Sequence, residues 1–337
     1  MGRLPEISIS ENCGHYLLGA LSSPTVCAHF APKPRLKDDA EMKLQSSAPL
    51  PEGAEIGNYR ILNALSSGGF SIVYLAYSEQ SGECVAIKEY MPSDRALRRP
   101  GELVPYIGAE HIAIYKFGLA AFFEEARILA AINHPNIVQV LELVRANETV
   151  YMVMQLIEGI SLQAHILRHR VEGRIAALPE DFIVGVFARV LNGLQEVHDR
   201  KLLHLDLKPA NIFLQLDGVP KLIDFGAARG TMGRNSGSVI PIFTPGFAAP
   251  ETCERNGAVG AWSDVYGIGA CMFACMCTNS PQEAPSRARE DLVPITLEIL
   301  ERSYSPQILS VTKACLELDP RARPQSAREL FQRLLTR

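Results

Sequence analysis

The chain has 337 residues, with 33 lysines and arginines against 37 aspartates and glutamates and a formal net charge of -4. That length accommodates one large domain or two ordinary ones, and the charge balance excludes a global basic field of the kind that attracts nucleic acid or anionic membranes. The eight cysteines lack the dense spacing of a disulfide framework, which fits a reducing, cytoplasmic compartment.

Residues 1–55 mix Pro, Ser, Lys and Glu with only short apolar runs such as Tyr16 to Leu21, and read as a flexible leader. No apolar run of signal-peptide length follows Met1, and Glu6 stands where a myristoylation pattern wants Ser or Thr. From Tyr59 the runs "YRILNAL", "SIVYLAYS" and "CVAIKEY" alternate with Ser/Gly turns and read as three consecutive antiparallel strands. "AAFFEEARILAAI" has helical apolar spacing, and "IVQVLELV" and "TVYMVMQLI" give two further strands. Beyond Gly159 the pattern is mostly helical, with only "IFLQL" and "PKLIDF" extended. The uncharged stretch Val265 to Gln282 approaches membrane-span length, but its two glycines, Asn279, Ser280 and Pro281 make it a buried core helix. Cys271 and Cys275 within it share a helix face and read as core thiols rather than metal ligands. These elements predict an α+β chain of two lobes. A five-stranded antiparallel N-lobe with one main helix takes 56–157, and a helical C-lobe takes 158–337.

"LSSGGFSIVYLAY" places Gly68 and Gly69 in a turn between strands, where absent side chains let backbone N–H groups approach phosphate oxygens. "VAIK" puts Lys88 on an otherwise apolar strand, and the helix "FFEEARIL" offers Glu124 or Glu125 as the anion such a lysine needs. "HLDLKPANIFL" packs His204, Asp206, Lys208 and Asn211 into one short segment, followed by "DFG" with Asp224. An acid to orient a hydroxyl, a lysine for a moving phosphoryl group, and an amide plus a carboxylate for a divalent cation are what phosphoryl transfer requires.

With "APE" at Ala249 to Glu251, "DVYGIG" from Asp264 and "DPRARP" near the end, the ordered set resembles the eukaryotic-like serine/threonine protein kinase family over residues 59–335. The resemblance implies ATP and Mg2+ as cofactors and protein Ser/Thr hydroxyls as acceptors. It makes Asp206 the catalytic acid, Lys208 its phosphate-neutralising partner, and Asn211 and Asp224 the metal ligands. Lys88 would hold phosphates with Glu125 as partner, and Gly68 would be the central loop glycine. Met154 would be the gatekeeper, Gln155 and Ile157 would meet adenine through the backbone, and Leu65, Val73, Ala86 and Phe213 would sandwich the ring. Glu251 and Arg323 resemble the buried ion pair behind the substrate loop, and Asp264 a structural acid. Lys208 with Thr244 points to the serine/threonine branch. Autophosphorylation, with Thr231, Ser236, Ser238 and Thr244 as candidate acceptors, and a homodimer through the N-lobes are further expectations. No nucleic acid partner and no membrane span are expected.

Three departures stand out. Ser66 and Ser71 occupy loop positions that are usually glycine, which predicts a restricted turn and weaker ATP binding. Leu205 replaces the arginine that receives an activation-loop phosphate, so activity is expected to depend less on that phosphate. The connector between Lys88 and Glu125 carries an insertion, 92–118, readable as a docking or regulatory surface or as an inert loop. A pseudokinase scaffold is the main rival reading, although Asp206, Lys88 and Asp224 are all present. A small-molecule phosphotransferase is the other, but such enzymes generally lack "APE" and its arginine partner.

Overall fold

β1 (Glu55–Ile56), β2 (Tyr59–Ser67), β3 (Ser71–Ser78) and β4 (Cys84–Tyr90) run as an antiparallel meander in this computed structural model, which describes residues 47–171, 174–175, 177–225, 244–254 and 257–336. After β4 come a hairpin of β5 (Ala96–Leu97) and β6 (Tyr106–Ile107), helix α1 (Ile112–Ala130), and strands β7 (Val140–Ala146) and β8 (Thr149–Gln155). The main sheet has the order β1-β2-β3-β4-β8-β7. Five strands are expected from the sequence and six are found. The extra one, β1, is two residues long and folds back through Gly57, whose φ of 59° suits glycine; so short a strand has no readable period.

Strand alternation sorts the sheet into two faces. Val73, Ala86, Lys88, Met152 and Met154 share one by register, and α1 packs there through Phe122. Ile72, Tyr74, Ile87, Glu89, Tyr151 and Val153 share the other, each at most 1% exposed. Residues 47–50, read from the sequence as leader, lie against this second face, with Leu50 only 3% exposed. α1 begins at Ile112 rather than at Ala120. Its buried stripe Tyr115, Gly118, Phe122, Ala126 and Leu129 has helical spacing, but Lys116 and Gly118 interrupt the apolar run from which the start was read. The last seven residues of the 92–118 segment therefore belong to the helix.

The second lobe opens with β9 (Gly159–Ser161), α2 (Leu162–Arg168) and a ribbon of β10 (Arg170–Val171) and β11 (Arg174–Ile175). Gly159 has φ +155°, and a Cβ there would sit 2.0 Å from the Leu214 carbonyl oxygen, so only glycine fits this crossing between lobes. α3 (Glu180–Asp199) buries Ile183, Phe187, Val190, Leu194 and Val197 at i, i+3 and i+4 spacing. β12 (Ile212–Gln215) and β13 (Pro220–Leu222) complete a small sheet in the order β13-β12-β9. Helices α4 (Pro250–Cys253), α5 (Ala261–Cys277), α6 (Ala284–Arg287), α7 (Val293–Ile299), α8 (Pro306–Cys315) and α9 (Ala327–Leu335) follow. α5 is apolar nearly all round and is the buried core helix of the lobe, with Cys271 and Cys275 inside it. Among the described residues, no helix is long and apolar enough to cross a membrane.

Candidate active site

The segment from His204 to Asn211 is held in place from below by Asp264 at the start of α5. Its Oδ2 accepts from the His204 amide at 2.8 Å and its Oδ1 from the Leu205 amide at 2.7 Å, while His198 Nε2 lies 2.8 Å from Oδ2. These bonds hold Leu205 at φ 57°, a left-handed conformation that a branched side chain seldom adopts unaided. Burial pushes the Asp264 carboxyl up, yet the bonds and charges of His198 and His204 more than offset it and hold it below the usual carboxylate range. Gly267 lets α5 come this close, since a Cβ there would lie 2.8 Å from Leu207 Cβ. His198, which the sequence motifs do not single out, is thus a second support for the loop. Its only signal is a histidine six positions before His204.

Above this support the loop's polar groups converge. Lys208 Nζ donates to Asp206 Oδ2 at 2.9 Å, and Asn211 Nδ2 donates to the Asp206 carbonyl at 2.8 Å and to Oδ2 at 3.1 Å. Thr244 Oγ1 donates to Asp206 Oδ1 and accepts from Lys208 Nζ, both at 3.3 Å. The carboxylate of Asp206, a residue only 8% exposed, is therefore oriented by Lys208, Asn211 and Thr244 among the described residues. Thr244, one of the candidate phosphoacceptors, has its hydroxyl engaged here, beside an acid that a phosphate would repel. Thr231, Ser236, Ser238 and the glycine of "DFG" lie outside the described residues.

Asp224 stands at the end of β13 with φ 59°, and the Ile223 amide ties it to Asn211 through a 3.0 Å bond to the Asn211 carbonyl. Lys88 Nζ forms an ion pair with Asp224 Oδ1 at 2.6 Å and lies 5.7 Å from the centre of the Phe122 ring. Glu125, the partner expected for Lys88, is buried on α1 at 3% exposure. Asp224 and the Asn211 side-chain oxygen, left free by donation through the amide nitrogen, are the hard oxygen donors that suit Mg2+, so the residues fit that ion. Leu65, Val73, Ala86, Ile157 and Phe213 are all half-buried, Met154 is buried across from Ala86, and Gln155 is exposed at the end of β8.

Gly68 is exposed in the β2–β3 turn, where its amide bonds the Ser71 carbonyl at 2.9 Å. Among the described residues with positive φ, none lies between Ser66 and Ser71. The two serines thus take up the turn without left-handed strain.

His204 is fully buried, its ring 4.5 Å from that of Phe225 and its Nε2 3.2 Å from the Ile223 carbonyl. Burial holds its imidazole below the ordinary value of 6.5 despite the opposing charges of Asp264, Asp206 and Asp224. With the folded value depressed, the unfolded chain binds the extra proton. The contribution to stability is complete above the unfolded value and is lost as pH falls through and below it. The melting temperature should therefore drop between about pH 6.5 and pH 5, and drop less in His204→Phe, which cannot charge. An equal drop in both proteins would remove His204 as the cause.

Glu251 and Arg323 form a bidentate pair at 2.8 and 3.0 Å, and Ser263 Oγ adds a third bond to Glu251 at 2.7 Å. The pair joins α4, just behind Thr244, to the segment between α8 and α9.

The family described as Protein kinase domain matches residues 59–335. The apo form of PpkA-294 is 32% identical with a TM-score of 0.72, over 86% of this chain and 100% of that one. The kinase domain of Mycobacterium tuberculosis PknI matches at 21% identity and a TM-score of 0.61, over 85% of this chain and 98% of that one, a likeness of fold. Cytokinesis protein sepH of Aspergillus niger is 30% identical over 303 residues, covering 88% of this chain and 20% of sepH. CBL-interacting serine/threonine-protein kinase 19 of Arabidopsis thaliana is 31% identical over 229 residues, covering 67% of this chain and 42% of that protein. The chain thus spans less than half the length of these curated relatives.

Proposed function

The chain belongs to the protein kinase family, and on that premise we propose that it transfers the γ-phosphoryl group of ATP to serine and threonine hydroxyls of proteins, its own included. The observation that carries this reading is the convergence of Lys208, Asn211 and Thr244 on the carboxylate of Asp206, tied through Ile223 to the Lys88–Asp224 pair. Asp206 accepts the acceptor hydroxyl's proton as the oxygen attacks phosphorus, and Lys208 neutralises charge on the phosphoryl oxygens as they move. Lys88 holds the non-transferred phosphates. Asn211 and Asp224 would hold Mg2+, which supplies further charge neutralisation when bound. The half-buried apolar residues around Ala86 and Met154 receive the adenine ring. Leu205, held left-handed by Asp264, offers no cation to a loop phosphate, so turnover does not wait on that modification.

Purified protein incubated with Mg2+ and γ-labelled ATP should label Ser and Thr. The rate should fall by about a hundredfold or more in Lys88→Ala and vanish with chelator. Phosphatase treatment beforehand should change the initial rate by no more than about twofold, because the usual phosphate receptor is missing. No label from protein whose melting temperature still rises with nucleotide would replace this reading with that of a scaffold.

A further inference from the structure

The insertion after β4 is not an isolated loop. Arg98, between β5 and β6, has a fully buried side chain that places its fork on the equally buried carboxylate of Glu89 on β4, with Nη1 to Oε1 at 2.6 Å and Nη2 to Oε2 at 2.8 Å. Tyr74 of β3 donates to Glu89 Oε2 at 2.6 Å and Tyr151 of β8 donates to Oε1 at 3.1 Å, so both neighbouring strands meet at the same carboxylate. Arg98 reaches onward through Nε to the Ala48 carbonyl at 2.9 Å, and the Ala48 amide returns a 2.9 Å bond to the Arg98 carbonyl. The Leu50 amide donates to Tyr74 at 3.1 Å. At its other end the insertion holds the glycine turn, since the Ser93 amide bonds the Gly69 carbonyl at 3.0 Å and the Met91 amide the Phe70 carbonyl at 2.9 Å.

Glu89 directly follows Lys88, and the strand puts their side chains on opposite faces. A buried ion pair is a poor source of stability, because desolvation consumes most of the attraction, but it fixes geometry wherever both partners are fully bonded. We propose that Arg98 is a positioning residue for the nucleotide's phosphates: through Glu89 it fixes the backbone that carries Lys88, while the same insertion fixes the Gly68–Gly69 turn through Ser93. The inference rests on the nucleotide-binding reading above. It also gives residues 47–50 a role as the outer half of the clasp, and explains how a turn with serines at two glycine positions is held in one shape.

The clasp acts on the end of β4 that meets phosphate, two residues beyond Ala86, so its loss should separate ATP from adenosine. The test measures affinity for ATP and for adenosine, with melting temperature, in the full chain and in Arg98→Lys, which keeps the charge but not the fork. A double variant, Glu89→Leu with Arg98→Met, removes both charges at similar volume and stays informative where the single change unfolds the protein. ATP affinity should fall about tenfold while adenosine affinity changes less than about twofold, since Lys88 and the glycine turn touch only the phosphates. A folded variant with an unchanged ratio of the two affinities, or a parallel loss of both, would overturn the positioning role. Wild-type protein that binds neither nucleotide would instead overturn the nucleotide reading, and this inference with it.

Discussion

Replacing Asp206 by Asn is expected to lower kcat about a thousandfold, or about 4 kcal/mol in the barrier, with ATP affinity unchanged. The amide is the same size as the carboxylate: its one oxygen, in the Oδ2 position, can still accept from Asn211 and Lys208 at 3.1 and 2.9 Å, while its NH2, in the Oδ1 position, can donate to Thr244 Oγ1 at 3.3 Å. The loop's shape therefore survives and only the proton acceptor is lost. Lys208 loses the anion beside it, but on the proposed reading it serves the moving phosphoryl group, whereas the separate Lys88–Asp224 pair holds the nucleotide. Single-turnover labelling together with nucleotide titration checks both halves. A loss of ATP affinity as large as the loss of rate would show that Asp206 serves binding rather than proton transfer.

The gathering of the candidate loop around Asp206 was legible in the sequence because the chemistry proposed for it depends on side-chain identity and its members are neighbours in the chain. His204, Asp206, Lys208 and Asn211 fall within eight positions, and few other tasks need that combination. The Arg98–Glu89 clasp was not legible for the opposite reason. A glutamate on a strand and an arginine in a Pro-rich connector each read as solvated charges, and only the tertiary neighbours Tyr74 and Tyr151 make them interior groups. β1 is too short to carry a period, and the first turns of α1 hide behind Lys116 and Gly118. That Ser66 and Ser71 can stand at glycine positions is explained by the backbone, since the β2–β3 turn closes through the Gly68–Ser71 bond without a left-handed residue among those described.

Breaking the Glu251–Arg323 pair should cause a large loss of stability, because its side chains are 7% and 0% exposed and removing one partner strands a buried charge at a cost of about 3–5 kcal/mol. The two truncations should not be equal. Arg323 also donates to the carbonyls of Glu317 at 2.7 Å, Leu318 at 3.0 Å and Trp262 at 3.2 Å, and lies 5.0 Å from the Tyr266 ring centre. Glu251→Ala leaves the guanidinium with these three acceptors and an aromatic face. Arg323→Ala leaves a carboxylate with Ser263 as its remaining side-chain partner among the described residues and three carbonyls without the arginine donor, so it should cost about 1–2 kcal/mol more. The double variant should fall well short of the sum, since the second truncation removes the stranded charge created by the first. Denaturant unfolding of the four proteins measures the cycle. Additive losses would mean that the pair contributes as two independent packing groups, and that its place behind Thr244 is not a matter of charge.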